Sequence, residues 1–219
     1  MAILVNENTK VLIQGITGRV GSFQTKIMLE YGTKIVAGVT PGKGGMDVHG
    51  VPVYDFVCEA LEKHEVNAAI SFVPARFAYD AAMEVIANAI PLYVLLAEGI
   101  PLHDTLKILN YAATRGVKVI GPDTPGVVSP GKCKLGVHPN QVLHPGCIGI
   151  VSRSGALSYE ICRVLKDHGF GQSTVVGIGG GPLWGTTQED VLRLFQNDPA
   201  LARKLFCGEH HGAKGSRFY

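Results

Sequence analysis

Short apolar runs alternate along the chain with stretches in which apolar residues recur every three or four positions. The runs lack polar alternation, so they predict strands that are buried on both faces of a parallel sheet. The predicted strands are 10–15, 34–40, 68–74, 92–98, 118–121, 147–152 and 173–179. The predicted helices between them are 20–31, 55–64, 77–89, 102–115, 154–168 and 187–197. Strands and helices in this alternation predict a doubly wound α/β fold.

A segment rich in Pro and Gly, at 121–146, interrupts the alternation and shows no helical period. We interpret it as an ordered linker or an extended functional loop. The predicted division is a first domain at 1–122, a connecting loop at 123–146 and a second, incomplete parallel α/β domain at 147–219.

The second domain is predicted to be short. Its last run, ALARKLFCGE, stands where another strand is expected, although Arg203 and Lys204 lie inside it. A sheet with so few strands is expected to leave an apolar edge uncovered at Val175, Val176 and Ile178.

Composition indicates a folded protein and argues against some kinds of partner and site. Apolar residues make up 46% of the chain and charged residues 17%, which supports a buried core. A net charge of +2 without a basic run argues against nucleic acid as the main partner. The 5 cysteines form no CxxC pair, so we expect reduced thiols and no metal site.

The chain gives no sign of a membrane segment. No apolar stretch approaches the roughly 20 residues that span a bilayer. The first residues, MAILVNENTK, are too polar for a signal peptide. We therefore expect no membrane contact, and a location in the cytoplasm, or in the mitochondrial matrix after removal of a transit peptide.

The segment GITGRVGSFQTK follows the first predicted strand and places glycines at positions 15, 18 and 21. Free backbone N–H groups at such a turn, with the dipole of the next helix, form an anion site. The spacing is GxxGxxG rather than the dinucleotide pattern GxGxxG, and Lys43 stands where an NAD site has an acid. This favours NADP or coenzyme A over NAD. The alternative is that the glycines serve tight strand–helix packing alone.

A second helix start has a similar composition. In IVSRSGALSYE a predicted strand runs into Ser152-Arg153-Ser154-Gly155 and then a helix. Hydroxyls and exposed N–H groups there suit a phosphate or a carboxylate. Ordinary N-capping by serine is the alternative, and these residues alone leave both open.

Several motifs, taken in order from residue 1 to about 199, resemble the α subunit of succinyl-CoA synthetase (succinate–CoA ligase). They are GITGRVGSFQTK, YGTKIVAGVTPGKGG, FVPA, EGIP, IGPDTPGVVSPG, IGIVSRSGALSYE and GFGQSTVVGIGG. Related ligases that act on malate or citrate share much of this pattern. The resemblance implies a Rossmann-like CoA-binding domain followed by a flavodoxin-like domain, with coenzyme A and a small organic acid as ligands. It also implies a heteromer with an ATP-grasp β subunit, which would carry the Mg-nucleotide.

The resemblance also implies site residues. CoA contacts would fall on Thr17, Gly18, Arg19, Val20, Lys43, Leu96, Ala97 and Glu98. Tyr159 would contact the organic acid, and the phosphate of a phosphohistidine would bind at Ser154, Gly155 and Ala156. Glu209 matches a glutamate that supports that histidine.

Two departures from the family pattern affect the expected chemistry. The family's phosphorylated histidine lies in a Gly-His-Ala-Gly motif, which these 219 residues do not contain, and His210 and His211 match other positions. Asp123 and Thr124 replace a usual Asn-Cys pair, and Asp123 adds a negative charge near the expected thioester site. We therefore expect CoA binding without phosphoryl transfer through histidine. The alternatives are a non-catalytic CoA-binding or regulatory module that pairs with the β subunit and, disfavoured by the loop spacing, an NADP-linked oxidoreductase.

Overall fold

Two β-sheets flanked by helices make up the computed structural model, which describes residues 2–198 and the backbone of residues 203–207. The first sheet has 7 strands: β1 (Lys10–Gln14), β2 (Lys34–Val39), β3 (Asp47–Val48), β4 (Val51–Tyr54), β5 (Ala68–Ser71), β6 (Leu92–Leu95) and β7 (Lys118–Ile120). Their order is β3-β4-β2-β1-β5-β6-β7, and every pair except β3-β4 is parallel. The predicted doubly wound domain is confirmed.

The helices fill the intervals that the sequence predicts. They are α1 (Arg19–Glu30), α2 (Val57–Lys63), α3 (Ala75–Ala87), α4 (Leu102–Arg115), α5 (Gly155–Asp167) and α6 (Gln188–Gln196). Helix α4 ends where predicted because Gly116 takes a left-handed conformation, with φ of 67°, and its N–H caps the last turn.

The second sheet has 5 strands: β8 (Gly126–Ser129), β9 (Cys133–Gly136), β10 (Pro145–Ser152), β11 (Gln172–Gly177) and β12 (Arg203–Cys207). Their order is β12-β10-β11-β8-β9. Strands β10, β11 and β12 are parallel, whereas β8 is antiparallel to both β11 and β9. The strand expected near the end of the chain is present, but the sheet is mixed rather than wholly parallel.

The segment 123–146 is not a connecting loop alone, because it supplies β8 and β9. Its glycines permit close approach of paired strands. A Cβ on Gly126 would lie 2.1 Å from the carbonyl oxygen of Leu135, and one on Gly136 would lie 2.1 Å from that of Pro125. The only helical turn between β9 and β10 in the structure is a short 3-10 turn at Asn140–Val142.

The prediction of an uncovered apolar edge in the second sheet is wrong. Val175, Val176 and Ile178 are buried, with exposed fractions of 0%, 0% and 1%. Strand β11 lies in the middle of its sheet, between β10 and β8. Val176 and Ile178 share one core with Val11 and Ile13 of the first sheet, so each sheet covers the other.

Hydrogen bonds join the two sheets at several places, of which two lie at the ends of strands in the second sheet. At one, the loop after β7 meets the end of β11. The Thr124 hydroxyl donates to the Gly177 carbonyl at 2.5 Å, and the Gly180 N–H donates to the Asp123 carbonyl at 3.0 Å. At the other, the Thr33 hydroxyl donates to the Lys134 carbonyl at 2.9 Å and accepts from the Lys134 N–H at 3.0 Å.

Within the residues that the structure describes, no helix is both long enough and apolar enough to cross a bilayer.

Candidate functional site

The predicted CoA-binding residues lie at one edge of the first sheet, in loops and, for Arg19 and Val20, in the first turn of α1. These loops follow β1, β2 and β6, and the carboxyl ends of parallel strands meet at a single edge. The Thr17 N–H donates to the Thr40 hydroxyl at 3.5 Å, and the Gly15 N–H donates to the Val39 carbonyl at 2.8 Å. The loop after β1 is therefore joined directly to the loop after β2, which carries Lys43.

The glycine-rich loop after β1 supports both interpretations of its glycines. A Cβ on Gly21 would lie 2.1 Å from the Gly15 carbonyl oxygen, so Gly21 is required for tight packing of α1 on the loop. Gly18 has a different role, because it occupies the N-cap of α1 without any side-chain cap. The first turn of α1 contains no acidic residue, and Gly18, Arg19 and Val20 are exposed. The helix dipole and its first N–H groups thus face solvent, an arrangement that suits an anion.

The turn after β2 is rigid while its lysine is exposed. The Lys43 N–H donates to the Thr40 carbonyl at 3.0 Å, and the Gly44 N–H donates to Asp55 Oδ1 at 2.8 Å. The Lys43 side chain itself is exposed. A hydrogen-bonded backbone, with an ammonium group that has no ion-pair partner among the described residues, would suit the phosphate of a ligand at the start of α1.

The third loop, Leu96–Glu98, lies two strands away from β1, beside Asp123. The Asp123 N–H donates to the Ala97 carbonyl at 3.1 Å, and Asp123 takes a left-handed conformation with φ of 58°. Burial, and then the negative charge of Glu98, raise the pKa of the Asp123 carboxyl. This loop is therefore next to the junction between the two sheets, while Thr17 and Lys43 form a separate group at the same edge.

The start of α5 has the serine N-cap that was one of the two interpretations left open by the sequence. Ser154 Oγ accepts the Leu157 N–H at 3.3 Å, and Ser152 Oγ accepts the Ser154 N–H at 3.1 Å. The N–H groups of Gly155 and Ala156 belong to the first turn and have no acceptor within the helix. Capping therefore leaves donors for an anion at the same place.

Tyr159 lies one turn into α5 and turns back toward the start of the helix. A Cβ on Gly155 would lie 3.6 Å from the Tyr159 hydroxyl oxygen. Burial raises the pKa of the Tyr159 hydroxyl, so it stays a neutral donor. The structure thus brings together the residues predicted for the organic acid and for the phosphate.

Sequence reasoning gave no role to three side chains beside this helix start. His138 is fully buried, and its ring centroid is 5.2 Å from that of Tyr159. The Arg153 guanidinium lies 4.4 Å from the ring centroid of Trp184, in the loop after β11. Trp184 is the one tryptophan of the chain, which was the available signal, but no local pattern links it to Arg153.

The predictions for the end of the chain and for metal binding remain to be placed. Glu209, His210 and His211 lie outside the described residues. Within the described part of the chain, no group of three His, Cys, Asp or Glu side chains could hold a metal ion.

Two protein families match separate parts of the chain. Residues 6–99 match the CoA binding domain family, and residues 151–209 match the CoA-ligase family. The chain is 54% identical over 212 residues to a succinate–CoA ligase [ADP-forming] subunit alpha of Archaeoglobus fulgidus, covering 97% of this chain and 74% of that protein. It is 49% identical over 216 residues to the corresponding Aquifex aeolicus subunit, covering 98% of this chain and 71% of that protein.

Solved structures with low sequence identity share the fold. The ATP citrate lyase of Methanothrix soehngenii, in complex with citrate and coenzyme A, superposes with a TM-score of 0.83 at 24% identity. That match covers 93% of this chain and 36% of the lyase chain. A dinucleotide-forming acetyl-coenzyme A synthetase of Ca. Korarchaeum cryptofilum gives a TM-score of 0.77 at 20% identity, over 91% of this chain and 44% of that one.

Proposed function

Because the chain belongs to the family of succinate–CoA ligase alpha subunits, we propose that it binds coenzyme A and acts as the α subunit of an acyl-CoA ligase. The reaction is succinate, CoA and a nucleoside triphosphate giving succinyl-CoA, the diphosphate and phosphate. The observation that carries the proposal is the pair of linked loops after β1 and β2, which place the start of α1 beside the loop of Lys43.

The residues of the first domain fit coenzyme A. The start of α1, at Thr17, Gly18, Arg19 and Val20, would receive its phosphates, and the Lys43 ammonium would pair with a phosphate on the ribose. Leu96, Ala97 and Glu98 would contact the same ligand nearer the second sheet. Bound coenzyme A supplies the thiol that accepts the acyl group.

The residues of the second domain fit the acid and the phosphate. The start of α5, at Ser154, Gly155 and Ala156, would hold a phosphate through backbone N–H groups, and Tyr159 would donate to the organic acid. The second domain is taken to begin near residue 123, since β8 belongs to the second sheet.

The remaining parts of the reaction are assigned elsewhere. The Mg-nucleotide would bind a β subunit, and Glu209 would have a supporting role. The Gly-His-Ala-Gly motif of the family's phosphohistidine is absent from these 219 residues, so the labelling experiment below decides whether a histidine of this chain carries the phosphoryl group. The compartment would be the cytoplasm, or the mitochondrial matrix in a eukaryote. The alternative function, a CoA-binding or regulatory module that pairs with the β subunit, is favoured by the lack of a Gly-His-Ala-Gly motif in these residues.

Two measurements test the proposal. CoA should raise the melting temperature of the chain, whereas NADP should not; stabilisation by NADP alone would favour an oxidoreductase. The chain is then incubated with its β subunit and a γ-labelled nucleotide. An acid-labile, base-stable phosphoprotein supports a ligase that uses a histidine of this chain. Stabilisation by CoA without any label supports the binding module.

A further inference from the structure

Beside the start of α5 lies a positively charged group that has no anionic partner within the described part of the chain. Arg153 takes part in none of the ion pairs among the described residues. Its Nη2 donates to the carbonyls of Gly180 and Gly181, both at 3.3 Å, which is at the long end for a hydrogen bond. The guanidinium of Arg153 is therefore positioned by neutral groups and has no counter-charge among the residues that the structure describes.

Two N–H groups in the same cluster are buried and unpaired. Arg153 Nε and Trp184 Nε1 are both inaccessible to solvent, and neither has an acceptor among the described residues. The Arg153 guanidinium lies over the Trp184 ring at 4.4 Å from its centroid. A buried donor without an acceptor is costly, and the cost is higher for a charged group. The pair therefore fits a ligand that brings acceptor oxygens.

The loop that carries Trp184 is held in place on both sides. The Gly185 N–H donates to the Gly121 carbonyl at 2.9 Å, and the Thr186 hydroxyl donates to the Val119 carbonyl at 2.7 Å. On the other side, the Gly180 N–H is bonded to the Asp123 carbonyl. The loop that carries the indole is thus anchored before any ligand binds, which reduces the entropy lost on binding.

We propose that Arg153 and Trp184 form an oxyanion-binding subsite, in which Arg153 Nε–H and Trp184 Nε1–H donate to the oxygens of one bound carboxylate or phosphate. The adjacent N–H groups at the start of α5 add positive potential of the same sign. For the carboxylate of a small organic acid, this inference rests on the proposed function, and it makes Trp184 a specificity-determining residue. Inorganic phosphate is the other source of the same chemistry.

Fluorescence reports on this subsite directly, because Trp184 is the one tryptophan in the chain. The 219-residue chain is excited at a wavelength that tyrosine does not absorb, and is titrated with sodium succinate or sodium phosphate. Sodium chloride at equal ionic strength is the control. We expect a saturable change in emission with one or both oxyanions, and the one that binds more tightly identifies the source. No change beyond that caused by chloride, with either anion, overturns the proposal.

Variants test the two donors separately. Arg153→Lys keeps the charge but removes Nε–H. It should lower the affinity for the oxyanion about tenfold. The matched control is Arg163→Lys, because Arg163 pairs with Glu160 and Asp167 on the exposed face of α5. Trp184→Phe keeps an aromatic ring and removes Nε1–H, and calorimetry should show weaker oxyanion binding. Equal affinity in Arg153→Lys and Arg163→Lys contradicts the assignment of Nε.

CoA binding, measured by calorimetry on the same protein, separates the two proposals. Coenzyme A that binds while neither oxyanion does would overturn the subsite and leave the proposed function standing. If an oxyanion binds while coenzyme A does not, the subsite stands and the proposed function is overturned.

Discussion

The imidazole of His138 packs edge-on against the ring of Tyr159, with ring planes at 72° and centroids 5.2 Å apart. His138 is fully buried, and neither of its ring nitrogens has a hydrogen-bond partner among the described residues. Burial, and then the positive charge of Lys134, lower the pKa of His138 to about 3. The ring against which Tyr159 is oriented is therefore a neutral imidazole.

Acid should destabilise the protein through this histidine. The imidazole titrates near 6.5 when unfolded and near 3 when folded, so the unfolded state binds the extra proton between those values. The free energy of unfolding should therefore fall as the pH drops below about 6.5. His138→Gln should lose less stability than the wild type across this range in urea unfolding at a series of pH values. His103→Gln, at an exposed position, is the control, and an unchanged slope in His138→Gln would contradict the assignment.

Lys43→Ala should lower the affinity for coenzyme A by about tenfold, because it removes the charge-assisted contact to phosphate that is proposed for Lys43. It should have little effect on dephospho-CoA, which lacks the phosphate on the ribose. Isothermal titration calorimetry with both ligands measures the difference. Lys26→Ala is the matched control, since Lys26 is an exposed lysine of α1 that faces Glu30. If Lys43→Ala binds CoA as well as the wild type does, Lys43 has no role at the phosphate.

Gly21→Ala and Gly18→Ala should separate packing from binding in the first glycine loop. A Cβ at Gly21 would lie 2.1 Å from the Gly15 carbonyl oxygen, and one at Gly18 would lie 3.2 Å from the same atom. We expect Gly21→Ala to lower the free energy of unfolding by about 2 kcal/mol, and Gly18→Ala to lower it by less. Gly18→Ala should mainly reduce CoA affinity, because its methyl group stands at the ligand-facing N-cap. Equal loss of stability in both variants would refute this division.

Glu84→Gln should stabilise the protein at neutral pH. Glu84 Oε1 accepts the Val57 N–H at 2.7 Å, at the start of α2, and burial raises the pKa of the Glu84 carboxyl above 4.5. The folded state therefore favours the protonated acid, and stability is lost as the pH rises through the folded pKa. Glutamine keeps an acceptor oxygen without the charge. Thermal unfolding at neutral pH measures the effect, with exposed Glu30→Gln as control; a lower melting temperature for Glu84→Gln would show that the charge is needed.

The regular elements could be predicted from sequence because their signals are local. Helix α4 has a continuous apolar period and a glycine after its last turn, and its predicted bounds, 102–115, are the observed ones. Strands β8 and β9 could not be predicted from the same signals. Gly126 and Gly136 suggested a loop, whereas they permit two backbones to approach each other within a sheet. That close approach depends on tertiary pairing, which no local pattern records.

The candidate site divides in the same way. Topology alone predicts that the loops after β1 and β2 meet at one edge, and the Thr17–Thr40 bond joins them there. The contact between Arg153 and Trp184 instead joins two loops that follow different strands of the second sheet. Such a contact depends on how long each loop is and on how it is held by the first sheet, so neither residue could be assigned from its neighbours in sequence.

The hydroxyl of Thr33 caps one margin of the second sheet. It satisfies both backbone groups of Lys134, which point away from β8 on the outer side of β9. At Lys134 the antiparallel margin of this sheet is therefore bonded to the first domain, and an incoming strand finds no donor or acceptor there. The opposite margin is β12, which is parallel to β10, the strand that leads to the start of α5.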